Sequence, residues 1–151
     1  MSTSTAHHFV VEPFEGVGPI KFGMHKNDVS HAFSYVYRSF FKGNKSKVRS
    51  DHCENVGLII HYDDESRVEY IELTKPEYGT VTVELFGQDI TGISVRGLVK
   101  LLGSHTTRIE KNVYGYKFPD LGLNTFNSVL QSEDEVVECL GVGRRGGSAT
   151  A

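Results

Sequence analysis

Apolar positions between residues 17 and 73 predict a strand, a helix and two further strands. A strand at 17–22 precedes a helix at 25–41, and strands at 56–62 and 68–73 flank a polar turn at 63–66. The helix is predicted because apolar residues recur at helical spacing and form one stripe. The residues of this stripe are Val29, Phe33, Val36, Tyr37 and Phe40.

Residues 80–142 repeat this order of elements. An alternating strand at 80–86 precedes a helix at 94–102 with Ser94 as N-cap, and strands follow at 107–118, 121–126 and 136–142. Gly87 takes the place of Gly23, and the hydrophobic-Gly-Leu run at 56–58 recurs at 121–123. These matches predict an internal duplication, although unrelated α+β patterns also look alike.

The expected fold class is α+β, with two tandem β-α-β-β(-β) units at residues 15–78 and 79–144. Hairpin-length connections predict a largely antiparallel sheet with both helices on one face. Each unit is too short for a robust core, so the two are expected to pack as one domain. Residues 1–14 are expected to be a flexible arm and 145–151 a flexible tail. The predicted core residues on the helices are Phe33, Val36, Phe40, Leu98 and Leu102.

Composition and charge narrow the possible functions. The chain is 38% hydrophobic and 23% charged, with a formal net charge of −3. That charge argues against general nucleic-acid binding, which needs a basic surface. It suits a basic partner, and it is also ordinary for a soluble domain. The N-terminus lacks an apolar signal region, and no apolar run approaches the length of a membrane helix, so we expect a cytoplasmic protein without a membrane partner.

Motifs for catalysis are not found in the sequence, so we expect no enzyme activity, no cofactor and no metal. There is no nucleophile elbow and no phosphate-binding loop. His25 and His31 lie on different faces of the predicted helix. Cys53 and its neighbour His52 point to opposite faces of a strand, so they do not form a nucleophile pair. Cys53 and Cys139 are expected to be free thiols.

Carboxylates and tyrosines are the candidate partner-binding residues. Three carboxylates at the tip of the first hairpin are either a solvated turn or an acidic rim that meets a basic partner. Four tyrosines are candidate anchors, because a tyrosine combines apolar area with a hydrogen-bonding tip. The candidate residues are Asp63, Asp64, Glu65, Tyr62, Tyr70, Tyr114 and Tyr116.

Residues 16–24, Gly-Val-Gly-Pro-Ile-Lys-Phe-Gly-Met, resemble the start of a recurrent bacterial pattern, Gly-x-Ile-x-Phe-Gly-Met-Ser-x-x-Glu-Val. The later parts of that pattern resemble Gly-Leu-Ile-Ile-His-Tyr-Asp at 57–63, Val-Glu-Tyr-Ile-Glu-Leu at 68–73 and the segment 137–144. Small proteins of this kind are encoded beside polymorphic toxins, so the resemblance implies an immunity protein. His25 and Asp28 replace the usual Ser and Glu of the pattern, which weakens the expected helix cap.

The order of elements is also similar to the BamE-type outer-membrane assembly lipoprotein and to the tandem-repeat β-lactamase inhibitor protein. The second similarity implies a saddle-shaped sheet that plugs an enzyme, although fold does not establish function. The leading hypothesis is an immunity protein that occludes a toxin acting in the cytoplasm. The alternatives are an intracellular adaptor or chaperone for a secreted effector, and a small enzyme with an unrecognised site.

Overall fold

The computed structural model of the chain describes residues 6–33, 37–41, 43, 47–75 and 80–145. These residues form two α-helices, a short 3-10 turn and thirteen strands in two sheets. The α+β class predicted from the sequence is confirmed, whereas the single predicted sheet is wrong. A second sheet forms because residues 6–12, assigned to a flexible arm, are strand β1.

The small sheet has the order β3-β2-β1-β8-β9. Its strands are β1 (Ala6–Glu12), β2 (Gly16–Val17), β3 (Ile20–Lys21), β8 (Thr80–Leu85) and β9 (Gln88–Asp89). β1 and β8 pair in parallel, and the other neighbours are antiparallel. The strand predicted at 17–22 is instead the β2–β3 hairpin.

The large sheet is antiparallel throughout and has the order β10-β11-β12-β13-β7-β6-β5-β4. Its first four strands in the chain are β4 (Arg38–Phe40), β5 (Ser50–Cys53), β6 (Leu58–Tyr62) and β7 (Val68–Leu73). Its last four are β10 (Glu110–Lys111), β11 (Tyr116–Phe118), β12 (Leu123–Phe126) and β13 (Cys139–Gly143). The predicted strand at 107–118 is therefore a hairpin, β10–β11.

The two helices are α1 (Lys26–Ala32) and α2 (Val95–Gly103). α2 matches its prediction, and the Ser94 hydroxyl accepts the Gly97 N–H at 3.0 Å as an N-cap. α1 is much shorter than predicted, because Phe33 has an extended backbone and residues 38–40 form β4. Aromatic residues around β4 suit a strand as well as a helix, and pairing with β5 provides backbone partners.

One core cluster contains buried side chains from both sheets and both helices. Phe33, Leu98 and Leu102 belong to it, as predicted. Phe40 is only half-buried on β4, and Val36 lies outside the described residues. At the end of the predicted domain, Gly143 belongs to β13, and the side chain of Arg144 pairs with Asp63 and Glu69.

The pairing register of the large sheet is symmetric about its centre, where β7 meets β13. Glu72 lies opposite Gly141 at this centre. Leu58 pairs with Leu73 on one side, and Leu123 pairs with Val142 at the matching place on the other. Superposition of residues 15–78 on 79–144 stays a prediction.

Two glycines show which positions of the halves correspond. Gly23 and Gly92 each stand two residues before a helix N-cap and have left-handed backbones, with φ of 85° and 68°. Gly92, and not Gly87, therefore occupies the place of Gly23. The left-handed backbone is the reason for glycine at both positions.

Candidate functional site

The large sheet has an inner face that packs on the helices and an outer face that does not. Inner-face side chains, such as Leu58, Ile71 and Leu140, belong to the same core cluster as Leu98 of α2. Residues that alternate with them along each strand make up the outer face. The outer-face residues considered below are Ser50, His61, Tyr70, Glu72, Cys139, Asn124 and Phe126.

Four polar side chains cross the outer face in a line, and we name Ser50, His61, Glu72 and Cys139 the polar row. Ser50 Oγ lies 2.7 Å from His61 Nδ1, and His61 Nε2 lies 2.5 Å from Glu72 Oε2. The Cys139 thiol donates to Glu72 Oε1 at 3.4 Å. The four residues come from β5, β6, β7 and β13, so cross-strand register brings them together.

The electrostatics of the polar row keep its carboxylate charged and its thiol neutral. Burial raises the pKa of Glu72, but hydrogen bonding to His61 and the histidine charge outweigh it, so the net pKa is below the usual value. Burial raises the pKa of Cys139, and the neighbouring charge of Glu72 raises it further. Cys139 is therefore a weak nucleophile at neutral pH.

The hydroxyl, imidazole and carboxylate of the polar row have the connectivity of a hydrolase triad, but they are not placed for substrate. Ser50 is 1% exposed and His61 is 3% exposed. A nucleophile and its base must reach the substrate directly. Within the described residues, no group of three or more His, Cys, Asp or Glu side chains is arranged to hold a metal ion. The geometry of the polar row fits a role in holding β5, β6, β7 and β13 together.

Replacing Glu72 with glutamine is expected to flatten the loss of stability in acid. The folded-state pKa of Glu72 is lowered, so its contribution is present above the unfolded value of about 4.3 and is lost as the pH falls through the folded value. Urea titrations between pH 7 and pH 2 measure this. A variant that loses stability in acid as steeply as the wild type would contradict the assignment.

Tyr70 lies flat on the outer face across the glycines of β13. A Cβ on Gly141 would collide with the Tyr70 hydroxyl and with Asn124 Oδ1. That hydroxyl donates to Asn124 Oδ1 at 2.8 Å, and Tyr70 is 5% exposed. Tyr70 therefore joins the two halves of the sheet and presents little surface to a partner.

Two more of the candidate tyrosines are also committed to internal bonds. The Tyr62 hydroxyl donates to Asp51 Oδ2 at 2.8 Å, and Tyr62 is 4% exposed in the core. Tyr116 is 9% exposed, and its hydroxyl donates to Glu133. Neither tyrosine presents its ring to solvent. Tyr114 differs from them, because 48% of its surface is exposed.

The three carboxylates of the predicted acidic rim are not equivalent. Asp63 accepts the Glu65 N–H at 2.9 Å and the Arg67 N–H at 3.0 Å, and it forms an ion pair with Arg144 at 2.8 Å. Burial raises the pKa of Asp63, but these partners outweigh it and lower the net value. Asp64 and Glu65 are exposed. Asp63 is therefore part of the fold, and two carboxylates remain for a partner.

An exposed cluster of large apolar side chains lies on the outer face of the large sheet, on the side that the second half of the chain forms. We name Tyr114, Phe126 and Val136 the apolar patch. Their exposed fractions are 48%, 46% and 55%, and the rings of Tyr114 and Phe126 lie 5.3 Å apart between centroids. Asn127 fixes the segments together, since its N–H donates to Tyr114 O and its side chain donates to Val136 O.

The apolar patch continues into a groove of about 1100 Å³ between the two sheets. The residues that line this groove include Phe126, Val136, Val83 and Ile93. The acidic turn is at the opposite end of the large sheet, because β7 begins beside the end of β13 and Phe126 pairs with the start of β13. The structure therefore places Tyr114 beside Phe126, which lines the groove, and separates it from Asp63, Asp64 and Glu65.

The comparisons with known proteins give no relative for this chain. No known protein family matches it, and neither the curated proteins nor the solved structures include a match. Neither helix in the described ranges has the length and apolar character needed to cross a bilayer.

Proposed function

We propose that this protein binds another protein through the apolar patch of Tyr114, Phe126 and Val136. The observation that carries this proposal is that these three large apolar side chains are exposed together beside a groove. Single exposed apolar residues are normal on soluble proteins, whereas a contiguous group beside a concave surface is typical of an interaction site.

The chemistry of the apolar patch favours tight and specific contact. Aromatic side chains that enter a desolvated interface supply much of the binding free energy at protein interfaces. The Tyr114 ring is supported on one side by Phe126, so little side-chain entropy is lost when a partner covers it. The polar row keeps the neighbouring strands in register beneath the partner.

We propose further that the partner is a bacterial toxin and that this protein is its cytoplasmic immunity protein. The support for this class is the resemblance of residues 16–24, 57–63 and 68–73 to small proteins encoded beside toxins. Occlusion needs a complementary surface and no catalytic group, so an apolar patch beside a groove is sufficient for it.

Co-expression with each protein encoded beside this gene tests the proposal. One neighbour should stop growth when expressed alone and permit growth when this chain is present. The double variant Tyr114→Ala/Phe126→Ala should lose the rescue. Phe41→Ala is the matched control, since Phe41 is 51% exposed and is not part of the apolar patch. If the double variant rescues growth as well as the wild type, the apolar patch is not part of the interface. If none of the neighbouring proteins arrests growth, the partner is not a toxin encoded beside this gene.

A further inference from the structure

Strand β8 has one edge that the small sheet covers only in part. β1 pairs with β8 along its whole length on one side. On the other side, the Ile90 N–H donates to Val83 O at 2.8 Å, and Val83 N–H donates to Thr91 Oγ1 at 2.8 Å. Strand β9 and the residues that follow it cover this edge only as far as Val83. The first half of β8 therefore extends beyond them.

The backbone of Val81 points toward this uncovered edge. Successive residues of a strand direct their N–H and C=O to alternate sides, so Val81 and Val83 face the same way. Val83 is satisfied by Ile90 and Thr91, whereas no described residue pairs with the Val81 N–H or C=O on that side. An unpaired edge of this kind is a template for an added strand.

The same edge opens onto the groove. Val81 and Val83 point their side chains into it, and Ile90 and Ile93 lie beside them. An ideal Cβ on Gly92 meets no atom within 4 Å, so the space next to the edge is open. A strand added beside β8 would place every second side chain on the face of Val81 and Val83. Those side chains would therefore enter an apolar groove.

The charges that line the groove favour a cationic side chain. Its acidic and basic lining residues are Glu72, Glu138 and Lys75, which gives two carboxylates against one amine. Glu72 is held by His61 and Cys139, whereas Glu138 accepts hydrogen bonds from the neutral Ser128. Among the described residues Glu138 forms no ion pair, so it can receive a lysine or an arginine.

We propose that the partner of this protein adds an extended segment to the edge of β8 at Val81. The segment has alternating apolar side chains that fill the groove, and a lysine or arginine that pairs with Glu138. This inference rests on the proposed function, since it names the chemistry of the partner that covers the groove beside the apolar patch.

A synthetic peptide tests the inference without the natural partner. The probe is an acetylated and amidated heptapeptide, Lys-Val-Thr-Val-Thr-Val-Lys, titrated into the ¹⁵N-labelled full chain and followed by NMR. Saturable shifts are expected at Val81, Val83 and Ile93, together with slower solvent exchange of the Val81 N–H. Shifts at high protein concentration without peptide would instead mean that a second copy of the chain occupies the edge, and would overturn the proposal.

Matched probes separate strand addition from general apolar contact. A peptide with N-methyl groups on the amides that face β8 keeps its side chains but cannot pair. It should bind at least about tenfold more weakly, which corresponds to about 1.4 kcal/mol. Val81→Pro should weaken the unmodified peptide similarly, because proline removes an edge N–H that the small sheet does not use. Glu138→Gln should make binding less dependent on salt.

The outcomes distinguish this inference from the proposed function. Equal binding of the methylated and unmethylated peptides, or no saturable shift at Val81, overturns strand addition. Loss of growth rescue in the Tyr114→Ala/Phe126→Ala variant would still support the proposed function in that case. Peptide binding at Val81 without any toxic neighbour would support the edge site and overturn the immunity function.

Discussion

Replacing Phe33 with alanine is expected to lower the free energy of unfolding by about 3–5 kcal/mol. Phe33 is 8% exposed, and its ring makes an edge contact with Phe9 at 5.6 Å between centroids. Because Phe9 belongs to β1 and Phe33 ends α1, the truncation removes apolar contact between the small sheet and the helix. The remaining cavity cannot close without moving one of these elements.

Phe40→Ala is the matched control for this prediction. Phe40 lies on the same predicted helical stripe as Phe33, but it is half-buried on β4 at the edge of the large sheet. Its truncation is expected to cost only about 1–2 kcal/mol, because less apolar area leaves contact. Urea titration of both variants measures the difference. Equal costs would support one long helix over residues 25–41 and would contradict the structure.

Replacing Phe126 with alanine is expected to weaken binding of the protein partner by at least about 2 kcal/mol, or roughly thirtyfold. Phe126 is the central residue of the apolar patch, since it contacts Tyr114 and also lines the groove. The stability of the chain should change little, because the ring is 46% exposed.

Kinetics show whether Phe126 acts as an anchor. Loss of buried apolar contact mainly raises the dissociation rate, whereas loss of a rim charge mainly lowers the association rate. Phe126→Ala should therefore shorten the lifetime of the complex, and Asp64→Asn/Glu65→Gln should slow its formation if the acidic turn meets a basic partner. An unchanged lifetime for Phe126→Ala would place the interface elsewhere.

Local signals in the sequence were sufficient for several elements of the fold. α2 was predicted within one residue at each end, because a serine cap and a regular apolar stripe agree there. β8 was predicted from strict alternation at residues 80–86. The hydrophobic-Gly-Leu match was informative as well, since Gly57 and Gly122 both have left-handed backbones, with φ of 71° and 64°.

Long-range pairing explains what the sequence did not reveal. The sequence does not predict β1, because His7 and His8 interrupt the apolar alternation and its partner β8 is more than seventy positions away. α1 was predicted too long because a helical stripe of aromatic residues continues into a segment that β5 recruits as β4. Neither effect is encoded in a local window, because the competing strand pairs depend on chain segments far apart.

The candidate site was only partly predictable for the same reason. The sequence offers four tyrosines as anchors on the basis of residue type alone. Of these four only Tyr114 is exposed, because the hydroxyls of the other three donate to Asp51, Asn124 and Glu133. Phe126 has a usable signal, since it falls on the outward side of its strand, next to the polar Asn124. No local signal in the sequence predicts the polar row, because its side chains meet only through the register of four strands.

In the function proposed above, the protein inhibits its partner by covering the partner's active site. The most direct measurement is the activity of the purified toxic neighbour during titration with the full chain. Activity is expected to fall to background at one equivalent of the wild-type chain, whereas Phe126→Ala should require a large excess for the same inhibition. A stable one-to-one complex in which the neighbour keeps its full activity would contradict occlusion and would indicate an adaptor.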